Sequence, residues 1–340
     1  MDPFIARTPV DLLAVVPFSI GFHPEDSVVL LTFDPAGAEP LDRASFHART
    51  DLPLVEKERR EVARMLRGVV RKHRVGLVAL LLYTNDAAAA QSFAGLLVPS
   101  LLRDGVEVID VIRVVEDRFF SVDDPADLGT PYDLRTHPFT AAQVLDGRVA
   151  HENRAALVES LIGTDDEDSV AVGTVADQVV DDLLSAGHNH GQLGEVLVAE
   201  ARWVQRRIRR YLRTPGPLRT RDAGRLLVMV AFDALREVAW AEMSRADARL
   251  HVELWRDLTR RAPEDLRSGA GSLLAFASWL AGDGALACCA LDRCFGEDPE
   301  DRLAQHVVSL IESATPPSVW APIPEHALRI FRIEAGTAAS

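Results

Sequence analysis

The segment Val75–Tyr83 reads VGLVALLLY, nine residues without a charge. A helix-patterned stretch follows it, and then a second apolar run, Val106–Val115. An apolar run with no alternation is the pattern of a strand covered on both faces, and the intervening length suits one crossover helix. The expected architecture is therefore an α/β front half, with a mixed, mostly parallel sheet and helices on both faces. The rest of the chain reads as all-α.

With 340 residues, the chain exceeds what one hydrophobic core usually spans. The expected division is an α/β domain over 1–135, a helical domain over 136–320 and a C-terminal extension over 321–340. The composition is 48% apolar but only 6% aromatic, so the core is to be built from Ala, Val and Leu. A net charge of −14 argues against nucleic acid and anionic membranes as general partners, since both require a positive field. The three cysteines, Cys288, Cys289 and Cys294, are odd in number and clustered, which reads as apolar filling rather than a disulfide framework. No apolar run approaches the ~20 residues of a membrane span. The expectation is a soluble, cytoplasmic protein.

In the front half, Thr8-Pro9-Val10-Asp11 is a helix start with a capping-box acid, and Pro17 is expected to end that helix. Gly21-Phe-His-Pro-Glu-Asp-Ser27 then turns into strand Val28–Phe33. Residues 34–42 read as a loop and 43–50 as a half-exposed strand. A helix occupies 54–72, and Asn85 or Asp86 caps the helix that follows the buried run. Glu116-Asp117 makes a tight turn into a hairpin strand, and residues 123–147, rich in Pro and Gly, read as a linker or lid.

Leu12-Leu-Ala-Val-Val-Pro17 followed by Gly21-Phe-His-Pro-Glu-Asp-Ser-Val-Val29 resembles the N-terminal signature of a bacterial family, domain of unknown function 4192. Gly129-Thr-Pro-Tyr132, Asn153-Arg-Ala-Ala-Leu-Val158 and Gly282-Asp-Gly-Ala-Leu-Ala287 agree with it. The resemblance covers about residues 8 to 320. Many members carry a Cys-Cys-Pro segment before Gly-Thr-Pro; here Asp124-Pro-Ala-Asp-Leu128 stands in its place, so any role of those cysteines is absent. The family has no assigned activity, so the resemblance implies boundaries rather than chemistry.

From 149 onward the pattern is helical: 149–162, 176–184, 195–212, one long helix over 222–245, then 250–260. Residues 187–191, which include His188 and His190, read as a loop. Residues 272–299 resemble a tetratricopeptide hairpin, with Gly282-Asp283-Gly284 as its turn. Thr315-Pro316-Pro317 is expected to end the ordered helices.

Two groups of residues invite a functional reading. The first lies at strand ends: Gly21, His23, Asp26, Ser27, Asp34, Thr84, Asn85 and Asp86. His, Asp and Ser within five residues suggest catalysis, but neighbours in a turn rarely form a triad, and turn chemistry explains the same residue types. The motif also enters the amino end of its strand, whereas open α/β sheets bind ligands beyond carboxyl ends. Only a strand running opposite to the central pair would bring it to that edge. The second group is Arg206, Arg207, Arg209, Arg210 and Arg213, within a segment holding nine arginines and one acid between Arg202 and Arg225. Acids upstream, Asp165 to Asp168 with Asp177, Asp181 and Asp182, are expected to neutralise it internally; otherwise it is a surface for an anion or an acidic partner. No nucleotide loop or metal-ligand set is present, and no cofactor is assigned. The preferred expectation is a non-catalytic interaction or regulatory protein that binds a protein partner through its helical domain. A ligand-binding or hydrolase-type site in the α/β half is the alternative, and nucleic-acid binding by the arginines is the weakest reading.

Overall fold

A computed structural model describes residues 6–33, 46–124, 126–190 and 193–332, apart from the side chains of 187–190 and 193. The chain forms two compact units, Met1–Leu157 and Val158–Ser340.

The first unit opens with α1, Pro9–Ile20. Its capping box is formed as read: Thr8 Oγ1 accepts from the Asp11 amide at 3.2 Å, and Asp11 Oδ2 accepts from the Thr8 amide at 2.8 Å. Pro17 does not end the helix, which continues to Ile20 with Pro17 buried inside it, and Gly21 (φ 81°) closes it in the left-handed conformation. The strands and helices that follow are β1 (Ser27–Phe33), β2 (His47–Asp51), α2 (Glu56–Lys72), β3 (Leu77–Tyr83), α3 (Ala87–Arg103), β4 (Glu107–Val115) and β5 (Arg118–Ser121).

The segment read as a linker holds two elements instead, β6 (Thr130–Pro131) and α4 (Pro138–Leu145). Its Pro and Gly residues start and separate elements rather than marking open coil; Pro138 occupies the first turn of α4. The short α5 (Arg154–Glu159) is what forms of the helix expected over 149–162.

The six strands lie in the order β2-β1-β3-β4-β5-β6. The sheet is mixed, but the expectation of mostly parallel pairing is corrected: only β3 and β4 run parallel, and every other pair is antiparallel. Burial on both faces shows that a strand is central but not which way its neighbours run. Val28, Leu30, Val78, Leu80 and Leu82 form one face, sealed by Leu66 and Val70 of α2 and Phe93, Leu97 and Leu101 of α3. Val29, Leu31, Ala79 and Leu81, on the opposite face, are also fully buried. Helix α1, which buries Leu12, Leu13 and Val16, packs against β2 and α4. Arg67 and Asp104 tie α2 to the end of α3 through bonds of 2.6 and 2.7 Å.

The second unit contains α6 (Asp166–His190), α7 (Leu193–Arg213), α8 (Thr220–Ala231), α9 (Asp233–Ala241), α10 (Ala248–Arg261), α11 (Arg267–Leu280), α12 (Gly284–Glu297) and α13 (Arg302–Glu312). Two expectations fail here. Helix α6 runs through 187–190, so the loop read there is helical to His190. The long helix over 222–245 breaks at Phe232, whose extended backbone (φ −87°, ψ 122°) separates α8 from α9. Helix α11 is buried from Gly269 to Leu280 and packs against α8, α9, α10, α12 and α13. Such all-round burial marks a central helix. Cys289 and Cys294 are buried fillers, as read; Cys288 is half-buried.

The hairpin of α11 and α12 forms with Asp283 capping α12, its carboxylate accepting from the Leu286 amide at 3.0 Å. Its tetratricopeptide likeness rests on the sequence alone. Order does not stop at Pro317: Trp320 stacks on Trp240 with ring centres 5.3 Å apart and donates its indole N–H to the Met243 carbonyl at 2.9 Å. Among the described residues no helix is long and apolar enough to cross a membrane.

Candidate functional site

Strand β1 runs opposite to β3, and the register sets Ser27 beside Tyr83. The start of β1 therefore lies at the carboxyl end of the parallel pair β3–β4. Gly21–Ser27 and Thr84–Asp86 consequently share one end of the sheet, the end where open α/β sheets bind ligands.

At that end most backbone groups are committed. Phe22 bridges to His151: the His23 amide donates to the His151 carbonyl at 3.0 Å, and the His151 amide donates to the Gly21 carbonyl at 2.8 Å. Asp26 adopts φ 41°, and its carbonyl accepts from the Leu52 amide at 2.8 Å. Buried Ser27 donates to the Glu25 carbonyl and accepts from Arg49 Nε (3.0 Å) and Nη2 (2.7 Å). Arg49 also pairs with Asp51 at 2.6 Å. Thr84 Oγ1 accepts from the Asp86 amide at 3.1 Å, and Asp86 caps α3 by accepting from the Ala89 amide at 2.9 Å.

His23, Asp26, Asn85 and Asp86 are exposed, while Ser27 and Thr84 are buried. Asp34 lies outside the described residues. Sequence reasoning missed Arg49, Tyr83 and Tyr132. Burial pushes the Tyr83 hydroxyl well above its ordinary pKa, and the Tyr132 hydroxyl rises for the same reason, with Asp117 adding to it. Tyr83 was within reach of the sequence, being the one polar group at the end of an otherwise apolar run. Arg49 was not, because its partner Ser27 is 22 residues away.

The arginine group divides. Arg207 and Arg209 face acids: Arg209 makes a two-point contact with Glu242 (2.6 and 2.7 Å), and Arg207 Nε lies 3.3 Å from Asp222, at an angle too poor for a hydrogen bond. Arg202 pairs with Glu325 and Arg225 with Glu200. Arg206, Arg210 and Arg213 are exposed, share one face of α7, and have no ion-pair or hydrogen-bond partner among the described residues.

The helical unit also contains a cavity of about 630 Å³ between Asp233, Arg236, Glu264, Asp265, Glu297 and Asp298. Its charges are partly internal: Arg236 pairs with Asp233 and with buried Asp301, and Glu297 pairs with Arg267. Among the described residues no three His, Cys, Asp or Glu side chains gather as a metal-binding group.

The family model described as "Domain of unknown function (DUF4192)" matches residues 9–318. The chain belongs to that family. The match spans both units of this DUF4192 chain, from the first turn of α1 to beyond α13. No curated protein and no solved structure matches it.

Proposed function

We propose that this DUF4192 protein is a non-catalytic interaction protein whose helical unit binds an acidic partner. The reading is carried by Arg206, Arg210 and Arg213, three guanidinium groups on one helix face that the described residues leave without counter-charges. Arginine presents a rigid donor fork matched to carboxylates, and a stripe of three fits an acidic surface better than a point-like anion. The test is affinity purification from the native cytosol with wild type and the Arg206→Glu/Arg210→Glu/Arg213→Glu variant, washed at low and high salt. A partner recovered only by wild type, and lost at high salt, supports the reading. Equal recovery by both proteins overturns it.

One observation favours a second reading, a small-ligand site at the carboxyl end of β3–β4: the Ser27–Tyr83 register, which brings His23 and Asp26 to the same sheet end as Asn85 and Asp86. Under that reading, a metabolite panel contains a compound that raises the melting temperature of wild type. The shift is lost in the His23→Ala/Asp26→Ala/Asp86→Ala variant. A panel that shifts neither protein ends the idea.

A further inference from the structure

Helix α6 carries a second strip, opposite in sign. Asp166, Val170, Asp177, Asp181 and Leu184 recur at spacings that keep to one helix face, and all five are exposed. Val170 and Leu184 stand out at 69% and 58% exposure, large for apolar side chains. Asp166, Asp177 and Asp181 have no ion-pair or hydrogen-bond partner among the described residues.

These are acids that sequence proximity assigned to the arginines of α7. The fold pairs both sets elsewhere or not at all. The paired arginines use Glu200, Asp222, Glu242 and Glu325, and of the α6 acids Asp168 goes to Arg261 at 2.6 Å. Among the described residues three arginines on α7 and five acids on α6 (Asp166, Glu167, Asp177, Asp181 and Asp182) are left over, on helices packed against each other in one unit, and three of those acids lie on the strip.

From this we infer that the acidic partner is a second copy of the same chain, with the α7 strip of each copy on the α6 strip of the other. This inference rests on the reading proposed above and names its partner. A two-fold interface must be complementary to itself, because each contact occurs twice with the roles exchanged. A basic strip alone repels its own copy. A basic strip beside an acidic one of equal charge satisfies the condition. Val170 and Leu184, on either side of Asp177 and Asp181 along the strip, add apolar area that arginine stems cover well.

Sedimentation equilibrium at physiological salt tests the inference with two fold-checked variants, Arg206→Glu/Arg210→Glu and Asp177→Arg/Asp181→Arg. Wild type is expected to be a dimer. Each variant alone sets like charges against each other, raising the dissociation constant more than about tenfold. Mixing the two variants equally restores complementarity in both contacts, and a heterodimer re-forms. A monomeric wild type at the highest attainable concentration overturns the inference. So does a pair of variants that dimerise as wild type does, or a mixture that fails to reassociate. A monomeric wild type that still recovers an acidic partner through the arginines sinks the second copy alone; variants that lose neither kind of contact sink the interaction reading too.

Discussion

Replacing Asp301 by Ala should be among the most damaging single changes in the helical unit. The Asp301 carboxylate is fully buried, accepts from Arg236 Nη1 at 2.9 Å and Ser268 Oγ at 3.1 Å, and caps α13 through the Ala304 amide at 2.8 Å. Truncation leaves Arg236, only 9% exposed, with Asp233 as its remaining counter-charge, and Asp233 is 63% exposed. Breaking a buried pair from one side costs roughly 3–5 kcal/mol, and losing a cap costs about 1 kcal/mol. Arg236 also lines the cavity, where water can solvate it, so the lower end applies and the total is about 4 kcal/mol. Against a whole stability of roughly 5–15 kcal/mol this is a large share. All five tryptophans, Trp203, Trp240, Trp255, Trp279 and Trp320, lie in this unit, so their fluorescence in urea reports its unfolding. With a slope near 2 kcal/mol per molar urea, the midpoint should fall by about 2 M. Arg236→Met combined with Asp301→Ala should recover part of the loss, since no orphaned charge remains. A single-variant loss under about 1 kcal/mol would show that the pair contributes no more than its cap and refute the reasoning.

The other predictions address separate contacts. His251 is fully buried, neither ring nitrogen makes a well-formed hydrogen bond, and burial lowers its pKa to about 4 against a weaker pull from the Glu242 backbone and Asp247. The unfolded chain therefore binds a proton between pH 6.5 and about 4 that the folded unit refuses, and stability falls as pH drops through that window, by about 3 kcal/mol in all. Urea midpoints at pH 7 and 4.5 should differ less in His251→Phe, and an unchanged difference would refute the assignment. Asp86→Ala should remove the cap of α3 at about 1 kcal/mol, read as roughly fivefold faster hydrogen exchange in its first turns, because the first unit has no tryptophan. In Gly269→Ala the new Cβ would lie 2.5 Å from the Val230 carbonyl where α11 meets α8. Neither backbone yields cheaply, so a loss of about 2 kcal/mol and a melting temperature lower by roughly 4–8 °C are expected.

Much of the first unit was legible because its signals are local. Thr8 and Asp11, Gly21, Asp86 and the unbroken run to Tyr83 each act within a few residues, and each does in the fold what its residue type implies. Proline misled where packing overrides a local cost. Pro17 remains inside α1 because the apolar face around it is buried far enough to hold the helix together. The break at Phe232 was invisible for the converse reason. No Gly or Pro marks it, and the apolar periodicity runs straight through.

The candidate sites were legible only as residue types, because what assembles them is long-range. Whether Gly21–Ser27 stands at the ligand-binding end of the sheet depends entirely on the direction of β1. Its apolar pattern is identical in either direction, so the Ser27–Tyr83 register had to come from the fold. The arginines make the same point in charge. Counting acids upstream predicted neutralisation by α6, yet the partners of Arg202 and Arg209 are Glu325 and Glu242, 123 and 33 residues away. A charge run read against its sequence neighbours therefore states how much counter-charge the segment needs, not where that counter-charge lies. Once the distant acids are taken up, the surplus on α6 and α7 is left exposed on both sides. Such a surplus persists without loss of solubility only if it is solvated or matched by another surface, and for the three arginines of α7 salt-dependent association separates those two cases.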